Sequence, residues 1–466
     1  MSLFKEIHKF SNRIALVTLD QGFIKYSKLI SESAKLTKNL KKRSTVFLLG
    51  KNDYEWIVGY LGFIKKKIII ILIDPDINLN NLKQLIKDYK PKYIFKKKNT
   101  YSLKNYKKLM NYFNYELGEL ENNMIQKNYK KLAILLSTSG TSGASKFVRI
   151  SYENLVANTI SIIKYLNIKN TDRLITTLQP SYSYGLSMLN THLYNGASIV
   201  LNNYSIIEKN FWKLLKDNKV KTFGGVPYTY ELLEKIKFHK FNISSLKYLT
   251  QAGGKLDNKI FQKINDVCEK NNIKFISMYG QTEASPRMSF LPSRFNKDKI
   301  DCIGRPIPNG EFKIIDINNK DISKIDVSGE LIFLGKNVSL GYATSYLDLK
   351  KVDENKGVLF TGDIAKRDSD NFYYITGRKK RFLKIFGYRI NLDEIEQNLN
   401  NAGFKCVCGG NDKKIIIYFT NKNKQKKLIN FASKLINLNQ NYIEFVYIEK
   451  INRTSRGKIE YKKLIK

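Results

Sequence analysis

Cysteine and histidine are scarce in this chain, with four cysteines and three histidines among 466 residues. The cysteines at positions 268, 302, 406 and 408 are too few and too irregularly spaced for a disulfide framework or a zinc site. We therefore expect no metal site built from Cys and His ligands.

Long apolar runs are missing as well. The most hydrophobic run, "IIIILI" at 68–73, ends at "DPD" after six residues, far below the ~20 that a membrane-spanning helix needs. The N-terminal stretch "MSLFKEIHKFSNR" lacks the apolar core of a signal peptide. We expect a cytoplasmic protein without a membrane span.

Acidic residues are outnumbered: 81 Lys and Arg stand against 41 Asp and Glu, a formal net charge of +40. Such a charge suits an anionic partner such as nucleic acid, lipid headgroups or an acidic protein. The lysines are scattered through every segment beside abundant Asn and Ile, which indicates a general bias in residue usage. A nucleic-acid-binding protein needs basic and aromatic residues along one groove, so it stays an alternative and no nucleic-acid partner is predicted.

Short β-branched runs alternate with helical patterns through the first two thirds of the chain. Continuous apolar strands separated by amphipathic stretches, such as 79–89 and 154–166, are typical of parallel sheets covered by helices on both faces. The predicted fold class is therefore α/β. The runs are "STVFLL" (44–49), "KIIIILI" (67–73), "YIF" (93–95), "LAILLS" (132–137), "ASIVL" (197–201) and "FISMYG" (275–280).

The texture changes after about residue 303. The alternating segments "EFKIID", "GELIFLG" and "FYYITGR", separated by turn residues, predict a small antiparallel β subdomain over 303–379. The last segment combines the helix "LDEIEQNLN" with the strands "KIIIYFT" and "IEFVYIE". We predict a large N-terminal domain over 1–379, which includes the β subdomain, and a small mobile α+β lid domain over 380–466.

The stretch "STSGTSGASK" at 137–146 follows an apolar run and offers no large apolar side chain. Glycines let backbone N–H groups approach phosphate oxygens, hydroxyls donate further bonds, and a lysine supplies charge. The stretch is not a Walker A loop, because Gly140, Gly143 and Lys146 are spaced by three. We interpret it as a phosphate-binding loop.

The spacing of this loop resembles the signature of adenylate-forming enzymes, the superfamily of acyl- and aryl-CoA synthetases, luciferases and nonribosomal adenylation domains. Ser142, Ser145 and Phe147 stand where that signature has Thr, Pro and Gly. The resemblance implies that the loop binds the phosphates of ATP. The implied phosphate-binding residues are Thr138, Ser139, Gly140, Thr141, Ser142, Gly143 and Lys146.

Further blocks of the same superfamily follow in the expected order. They are "QAGGKL" (251–256), "MYGQTEAS" (278–285), "FTGD" (360–363) and "GRKKRFLKIFGYRINLDEIE" (377–396). The resemblance implies that Thr282 bonds the α-phosphate and that Glu283 ligates Mg²⁺, a hard cation that takes carboxylate ligands. Tyr279 would stack on the purine, and Asp363 would bind the ribose hydroxyls. The implied adenine- and ribose-binding residues are Gly253, Gly254, Lys255, Tyr279, Gly280, Asp363 and Arg378.

The block "NRTSRGKI" at 452–459 resembles the C-terminal motif of the superfamily and contains Lys458, the implied catalytic lysine. In such an enzyme a carboxylate attacks the α-phosphorus of ATP, pyrophosphate leaves, and a thiol then attacks the acyl-adenylate. Lys458 would bridge the carboxylate and the α-phosphate, with Thr282 and Glu283 completing the catalytic set. The lid would pivot at Lys380. A degenerate member without turnover is disfavoured, because the implied nucleotide-binding and catalytic residues are retained.

The segment "LQPSYSYGLS" at 178–187 has no acidic residue that could pair with a substrate ammonium. A buried ammonium without a counter-ion is costly, so α-amino acids are disfavoured. The resemblance implies a neutral acyl pocket that suits a fatty, hydroxy or aromatic acid, although Tyr182 equally suits plain core packing. The implied pocket residues are Tyr182, Ser183, Tyr184, Gly224, Val226 and Met278.

The resemblance implies ATP and Mg²⁺ as cofactors and a thiol as the final acceptor. That thiol is either coenzyme A or the phosphopantetheine arm of a carrier protein, which would be a separate acidic chain. The alternatives at this point are a ligase that acts only on a discrete carrier protein and, in another functional class, the nucleic-acid-binding protein.

Overall fold

The computed structural model describes residues 3–121, 128–137, 146–385, 388–411, 413–436, 440–454, 459–461 and 464, without the side chains at 380, 382, 384, 388, 389 and 440. The chain divides into two compact units. Unit 1 comprises Met1–Ile300, Pro306–Glu311 and Phe333–Leu359, and unit 2 comprises Asp301–Arg305, Phe312–Ile332 and Phe360–Lys466. None of the helices in these described ranges is long and apolar enough to cross a membrane.

The strands and helices follow one another along the chain with short connections. The strands are β1 (Ile14–Thr18), β2 (Gly22–Lys25), β3 (Thr45–Leu49), β4 (Ile69–Ile73), β5 (Tyr93–Lys97), β6 (Tyr106–Tyr112), β7 (Tyr115–Leu120), β8 (Leu132–Ser137), β9 (Phe147–Ser151), β10 (Arg173–Ile175), β11 (Ser198–Val200), β12 (Thr222–Gly225), β13 (Tyr248–Gln251), β14 (Lys274–Gly280), β15 (Arg287–Leu291), β16 (Cys302–Pro306), β17 (Gly310–Ile315), β18 (Gly329–Gly335), β19 (Tyr342–Ala343), β20 (Val358–Arg367), β21 (Tyr373–Arg378), β22 (Phe382–Ile385), β23 (Tyr388–Asn391), β24 (Cys406–Asn411), β25 (Lys414–Phe419) and β26 (Ile443–Tyr447). The α-helices are α1 (Tyr26–Thr37), α2 (Tyr54–Lys66), α3 (Leu79–Tyr89), α4 (Tyr152–Leu166), α5 (Ser183–Tyr194), α6 (Lys209–Asp217), α7 (Pro227–Lys235), α8 (Asn258–Lys270), α9 (Leu392–Asn401) and α10 (Gln425–Ile436).

The first sheet of unit 1 has a parallel interior. Its strands lie in the order β15-β14-β13-β12-β10-β11-β1-β2. The six strands from β14 to β1 pair in parallel, whereas β15 and β2 are antiparallel to their neighbours. The carboxyl ends of the parallel strands therefore share one edge of the sheet.

The second sheet of unit 1 has the strand order β19-β9-β8-β4-β3-β5-β7-β6. Strands β8, β4, β3 and β5 are parallel, and the flanking strands are antiparallel. Every residue of β3 ("TVFLL") and of β4 ("IIILI") is buried. A strand covered on both faces needs apolar side chains on both, which is why these continuous runs form interior parallel strands.

Helices close the faces of both sheets. Helix α4 begins with a capping box, in which the Ser151 side chain accepts from the Asn154 backbone and the Asn154 side chain accepts from the Ser151 backbone. The largest apolar cluster of unit 1 draws on both sheets and on the helices, with Leu16, Trp56 and Ile70 each fully buried. The core of unit 1 therefore lies between layers of helix and sheet.

Unit 2 contains antiparallel strands in the order β17-β18-β20-β21-β16, where β20 with β21 and β21 with β16 are antiparallel. Strands β22 and β23 form a two-stranded antiparallel sheet, and β24, β25 and β26 form a three-stranded sheet. Helices α9 and α10 cover this sheet and share its apolar cluster, to which Ile395, Leu399 and Leu428 contribute. The residues after 381 thus have a core of their own within unit 2.

Candidate active site

Three adjacent parallel strands, β12, β13 and β14, bring several predicted binding residues to one edge of the first sheet. Their register pairs Gly225 with Gln251 and Gln251 with Ser277. The loops that follow these three strands therefore begin next to one another. In open α/β sheets ligands bind at the carboxyl ends of such strands. Gly224 and Val226 lie at the end of β12, Gly253, Gly254 and the exposed Lys255 follow β13, and Met278, Tyr279 and Gly280 end β14.

The predicted adenine turn touches the predicted acyl pocket. Gly253 has a φ of +91°, and a Cβ there would lie 2.7 Å from the Tyr182 hydroxyl and 3.1 Å from Val226 Cγ1. Only glycine suits both the left-handed backbone and this close approach. The Gln251 side chain donates to the Gly254 carbonyl at 2.8 Å and holds the turn.

A hydrogen bond links the acyl side of the site to the phosphate side. The Ser183 and Thr282 hydroxyls are 3.1 Å apart and both are buried. Gly280 lies where β14 bulges away from β15, and a Cβ at this position would lie 1.8 Å from the Pro286 carbonyl oxygen. The half-buried Tyr279 hydroxyl accepts from the Gln281 side chain at 3.4 Å. The loop after β14 therefore presents Thr282 next to Ser183.

Glu283 and Lys146 meet through one tyrosine. The Tyr342 hydroxyl donates to Glu283 Oε1 at 2.8 Å, and Lys146 Nζ lies 3.5 Å from the centre of the Tyr342 ring. Burial and the Glu283 carboxylate raise the pKa of Tyr342, so its hydroxyl remains a donor. The predicted phosphate lysine and the predicted magnesium ligand thus flank the same ring.

Arg149 fixes the strand that presents Tyr342. Arg149 lies on β9, is fully buried, and donates from Nε to the Tyr342 carbonyl at 3.0 Å and from Nη2 to the Leu340 carbonyl at 2.6 Å. Its Nη1 donates to the Lys351 carbonyl at 2.6 Å, and the guanidinium pairs with Glu354. Strand β19 also pairs with β9 in antiparallel register, so Tyr342 sits on a firmly anchored element.

Buried amides hold the loop that contains Glu283. The Asn337 side chain donates to the Ala284 carbonyl at 2.7 Å and to the Arg287 carbonyl at 3.0 Å. The Ser339 backbone N–H donates to the Glu283 carbonyl at 2.8 Å. These bonds satisfy buried backbone carbonyls that would otherwise be costly, and they hold the backbone of the loop that contains Glu283.

The residues near Glu283 suit Mg²⁺ held jointly with phosphate. No group of three or more His, Cys, Asp or Glu gathers anywhere in the described residues. Glu283 is a half-buried residue whose carboxylate accepts from the Tyr342 hydroxyl, and it follows Thr282 in the sequence. Magnesium is typically bound by one or two carboxylates together with substrate phosphates and waters. The donor set therefore fits a metal that arrives with its nucleotide.

The predicted ribose residues pair with each other in unit 2. Asp363 on β20 lies opposite Arg378 on β21, and Arg378 Nε is 3.0 Å from Asp363 Oδ1. The Asp363 side chain is buried, whereas that of Arg378 is largely exposed. The arginine orients the carboxylate and still presents its outer face to solvent.

Several predicted residues lie outside the described part of the chain: Thr138, Ser139, Gly140, Thr141, Ser142, Gly143 and Lys458, together with the Lys380 side chain. The strands that bracket the phosphate loop are described, and Ser137 pairs with Phe147 across antiparallel β8 and β9. The loop therefore connects two adjacent strands and ends at Lys146.

The neighbours of Lys380 and Lys458 in sequence contact each other in unit 2. Arg381 donates from Nη2 to Glu396 at 2.8 Å, the Tyr461 hydroxyl donates to Glu396 at 2.7 Å, and the Arg381 guanidinium lies 4.0 Å from the centre of the Tyr461 ring. Burial raises the pKa of Glu396 despite the nearby Arg381. This cluster ties the C-terminal segment to the predicted hinge region.

The floor of the predicted acyl pocket is filled by side chains. A Cβ on Gly224 would lie 2.6 Å from the Tyr184 hydroxyl and 2.7 Å from Met188 Sδ. The Tyr184 hydroxyl is held in turn by the Thr250 carbonyl at 2.8 Å. Met278, the remaining predicted pocket residue, is buried beside this floor and contacts Arg287.

The sequence profile of AMP-binding enzymes matches residues 3–343 of this chain. The chain belongs to the AMP-binding enzyme family. Among curated relatives in the family, a luciferin 4-monooxygenase from Photuris pensylvanica is 26% identical over 411 residues, which cover 81% of this chain and 74% of the relative. A probable 4-coumarate–CoA ligase from Dictyostelium discoideum is 31% identical, with 57% of this chain and 48% of the relative covered. A long-chain-fatty-acid–CoA ligase from Bacillus subtilis is 29% identical, with 58% and 48% covered.

The chain matches about half the length of most of these curated relatives. Two solved structures of similar fold are covered almost completely. An O-succinylbenzoate coenzyme A synthetase from Bacillus subtilis in complex with AMP has a TM-score of 0.79 at 17% identity, with 100% of this chain and 98% of that chain covered. ATP-bound MatB from Rhodopseudomonas palustris has a TM-score of 0.78 at 17% identity, with 99% and 98% covered.

The predicted superfamily and the predicted fold class are therefore confirmed: large helix-covered sheets are followed by a smaller C-terminal part, as in other AMP-binding enzymes. The sheets are mixed, because antiparallel strands flank the predicted parallel interior. The domain boundary at 379/380 and the roles of the site residues stay predictions.

The structure adds residues that the sequence analysis did not assign to the site. Tyr342 bridges two assigned residues, Arg149 and Asn337 hold the elements around Glu283, and Arg287 lies beside the acyl pocket. The motif "GELIFLGKNVSLGY" could have suggested Tyr342, since it is the tyrosine that ends a segment rich in glycine and turn residues.

Proposed function

We propose that this member of the AMP-binding family is an AMP-forming acid–thiol ligase. It activates a carboxylic acid with ATP to an acyl-adenylate and pyrophosphate, and then transfers the acyl group to a thiol, releasing AMP. Named relatives support the reaction type, since they include long-chain and medium-chain fatty-acid–CoA ligases. A structural neighbour is an O-succinylbenzoate–CoA synthetase in complex with its acyl-adenylate intermediate.

The observation that supports this proposal best is a series of side-chain contacts in unit 1 that meets at the adjacent residues Thr282 and Glu283. It runs from Lys146 over the Tyr342 ring to Glu283, whose neighbour Thr282 bonds Ser183 of the predicted acyl pocket. A cation, a carboxylate and a hydroxyl thus adjoin the place predicted for the acid. Adenylation needs this combination, because two anions that repel each other must be held in reacting position.

Each step has residues in assigned roles. Lys146 attracts the phosphate oxygens, and the Thr282 hydroxyl donates to the α-phosphate while a carboxylate oxygen of the acid attacks the α-phosphorus and the bond to pyrophosphate breaks. Lys458 is the proposed cation that bridges the attacking carboxylate and the α-phosphate. Asp363 and Arg378 are the proposed contacts of the ribose, and Lys380 is the proposed hinge of the lid.

Magnesium is proposed to bind Glu283, and when bound it offsets the negative charge of the phosphates. The chain's own contribution is to hold this carboxylate in place. Tyr342 donates to one of its oxygens, and the backbone bond from Ser339 fixes the loop. The Tyr342 bond therefore restrains one oxygen of the Glu283 carboxylate.

The proposed acceptor is coenzyme A, in agreement with the names of the fatty-acid and 4-coumarate ligases among the relatives. In the second half-reaction the thiol sulfur attacks the acyl carbon and loses its proton, and AMP leaves. The phosphopantetheine of a separate acidic carrier protein is the alternative acceptor. The cytoplasmic location and the absence of a nucleic-acid partner stay predictions.

A pyrophosphate-release screen over diverse carboxylic acids tests the proposal. We expect acid-dependent release of pyrophosphate from ATP, followed by thioester formation when coenzyme A or a phosphopantetheinylated carrier is added. Lys458→Ala should abolish release while ATP binding persists, and Lys462→Ala serves as a matched control that removes a nearby positive charge. Release that needs no acid, or a Lys458→Ala variant of normal rate, contradicts the proposal.

A further inference from the structure

Arg287 is a buried cation surrounded by neutral groups. It begins β15 and is 2% exposed. Its Nη2 donates to the Ser187 hydroxyl at 3.1 Å, and its Nη1 faces the Tyr165 hydroxyl at 3.3 Å and the sulfur of Met278. The guanidinium lies over the Tyr184 ring, 4.2 Å from the ring centre. These partners solvate the charge only in part, because none of them is an anion.

One edge of the guanidinium has an unused donor. The Nε–H of Arg287 has no hydrogen-bond acceptor in the described chain. A guanidinium that is removed from water without a carboxylate partner is destabilising, and nitrogen donors left without acceptors add to that cost. Such a group in a folded protein calls for an anion that the described chain does not supply, and the Nε–Nη2 edge is the fork that binds a carboxylate with two bonds.

The contacts of Arg287 place this cation at the predicted acyl pocket. Met278, which Arg287 touches, is one of the predicted pocket residues. Tyr184, on which the guanidinium lies, fills the space below Gly224, another of them. The loop that precedes Arg287 contains Thr282, which bonds Ser183. Arg287 is therefore a positive group directly beside residues predicted to form the acyl pocket.

The same floor limits the length of the acid. The Tyr184 hydroxyl is fixed by the carbonyl and the hydroxyl of Thr250 at 2.8 and 2.9 Å, and the Tyr230 hydroxyl bonds the same carbonyl at 2.7 Å. Met188 Sδ and Thr250 Oγ1 also lie within 3 Å of where a Cβ on Gly224 would be, at 2.7 and 2.9 Å. A long apolar tail would have to displace this hydrogen-bonded group, so the pocket suits a short acid.

We propose, resting on the proposed function, that Arg287 binds a second carboxylate of the substrate and that the enzyme activates short dicarboxylic acids. One carboxylate is adenylated and the other pairs with the guanidinium. The chemistry reverses the expectation of a neutral pocket, because a fatty or aromatic acid leaves the Arg287 charge unpaired and a short diacid neutralises it. Arg287 is then a specificity-determining residue that contacts substrate.

The test compares acids of equal length with the full-length protein. Pyrophosphate release is measured with butanoate against succinate and with pentanoate against glutarate. We expect kcat/KM to be about 10- to 100-fold higher for the diacid, because a charge-assisted hydrogen-bonded pair contributes a free energy of that order. In Arg287→Gln and in Arg287→Met the preference should vanish, mainly through loss of diacid activity. Arg294→Gln, which removes one positive charge at the far end of the same segment, should keep it.

The result that overturns the inference is a wild-type enzyme that uses butanoate as well as succinate, or Arg287 variants that keep the diacid preference. A second readout does not depend on turnover. Succinate, in the presence of ATP, should raise the Tm of the wild type by about 2 °C or more relative to butanoate, and should not do so for Arg287→Gln. If no acid releases pyrophosphate, the proposed function fails, and this thermal shift alone decides whether Arg287 binds a dianion.

Discussion

Two arginines of unit 1, Arg149 and Arg287, are both buried, but their guanidinium groups have different partners. Arg149 donates to the backbone carbonyls of Leu340, Tyr342 and Lys351 and pairs with Glu354. Among the described residues, the Arg287 side chain contacts hydroxyls, a thioether and a ring, and its Nε–H has no acceptor there. The first charge is fully compensated by the fold, whereas the second is not.

This difference separates a structural role from a binding role. Arg149 bonds the backbone carbonyls of Leu340, Tyr342 and Lys351. Its charge therefore stabilises the backbone that presents Tyr342. Arg287 costs free energy in the unliganded protein, and a fold keeps such a cost when a ligand offsets it. We therefore expect substitution by methionine to destabilise the protein strongly at Arg149 and little or not at all at Arg287.

The largest effect is expected from Arg149→Met. The change removes the described donor to the Lys351 carbonyl and one of two donors to the Leu340 carbonyl, which keeps the Glu354 backbone N–H at 3.1 Å. It also removes the buried guanidinium that these groups surround, so we expect unit 1 to lose about 3–5 kcal/mol of unfolding free energy. Urea denaturation followed by tryptophan fluorescence measures it, because Trp56 and Trp212 both lie in unit 1 and are buried.

The matched control for this prediction is Glu354→Gln. Its carboxylate is about half exposed, at 47% of the side chain, so water replaces the lost ion pair and the cost should stay below about 1 kcal/mol. An Arg149→Met variant that also stays within about 1 kcal/mol of the wild type would remove the contrast between the two arginines.

His192 is a further buried group whose charge the fold disfavours, and unlike the two arginines it can be neutral. Burial lowers its pKa to about 4, although the Met188 carbonyl and Asp172 favour the charged form. The unfolded chain therefore binds a proton near pH 6.5 that the folded chain takes up only near pH 4, and stability falls as the pH drops through this window. The loss should reach about 2–3 kcal/mol at pH 4.5.

Denaturation of the wild type and of His192→Gln at pH 7 and at pH 4.5 checks this prediction. The variant lacks the proton linkage, so the stability difference between the two proteins should shift by about 2–3 kcal/mol in favour of the variant on acidification. His239, which is exposed, supplies the control His239→Gln, for which the shift should be near zero. Equal shifts for both variants would show that burial of His192 is not the cause.

What the sequence allowed to be predicted followed from local constraints. The apolar runs of β3 and β4 predicted buried strands. Gly253 and Gly280 lie where neighbouring atoms leave no room for a side chain. The order of the motifs predicted the family. Local spacing encodes each of these features, so no contact between distant residues had to be known.

What could not be predicted depends on contacts between distant residues. Tyr342 contacts Glu283 and Lys146, which are far from it in the sequence. Nothing in the residues around Tyr342 indicates either contact. In a chain with 81 Lys and Arg, nothing local distinguishes Arg287 from a solvated surface charge. Only the packing of Tyr184 and Met278 around it shows that it is buried.

Tyr342→Phe tests whether the scaffold that Arg149 anchors serves the site. The substitution removes the hydroxyl bond to Glu283 and keeps the ring beside Lys146. We expect the Mg²⁺ concentration for half-maximal adenylation to rise about tenfold, as is typical when a partner that orients a metal ligand is lost. The free energy of unfolding should change little, because Tyr342 is 38% exposed.

The control is Tyr342→Leu, which removes the ring as well. It should show the same shift in Mg²⁺ dependence together with weaker ATP binding, because Lys146 loses its aromatic contact. If Tyr342→Phe shows a lower rate but an unchanged Mg²⁺ dependence, Tyr342 does not position Glu283.

The smallest effect on stability is expected from Arg287→Met, and it is the sharpest test of the comparison. An apolar side chain of similar length removes an uncompensated charge and leaves behind neutral groups. One of them, the Ser187 hydroxyl, also donates to the Tyr184 carbonyl at 2.7 Å. The unfolding free energy, read from the same tryptophan fluorescence, should therefore fall by less than about 1 kcal/mol or even rise. A loss of the size expected for Arg149→Met would mean that its neutral neighbours already solvate Arg287, and that the fold needs its charge without any ligand.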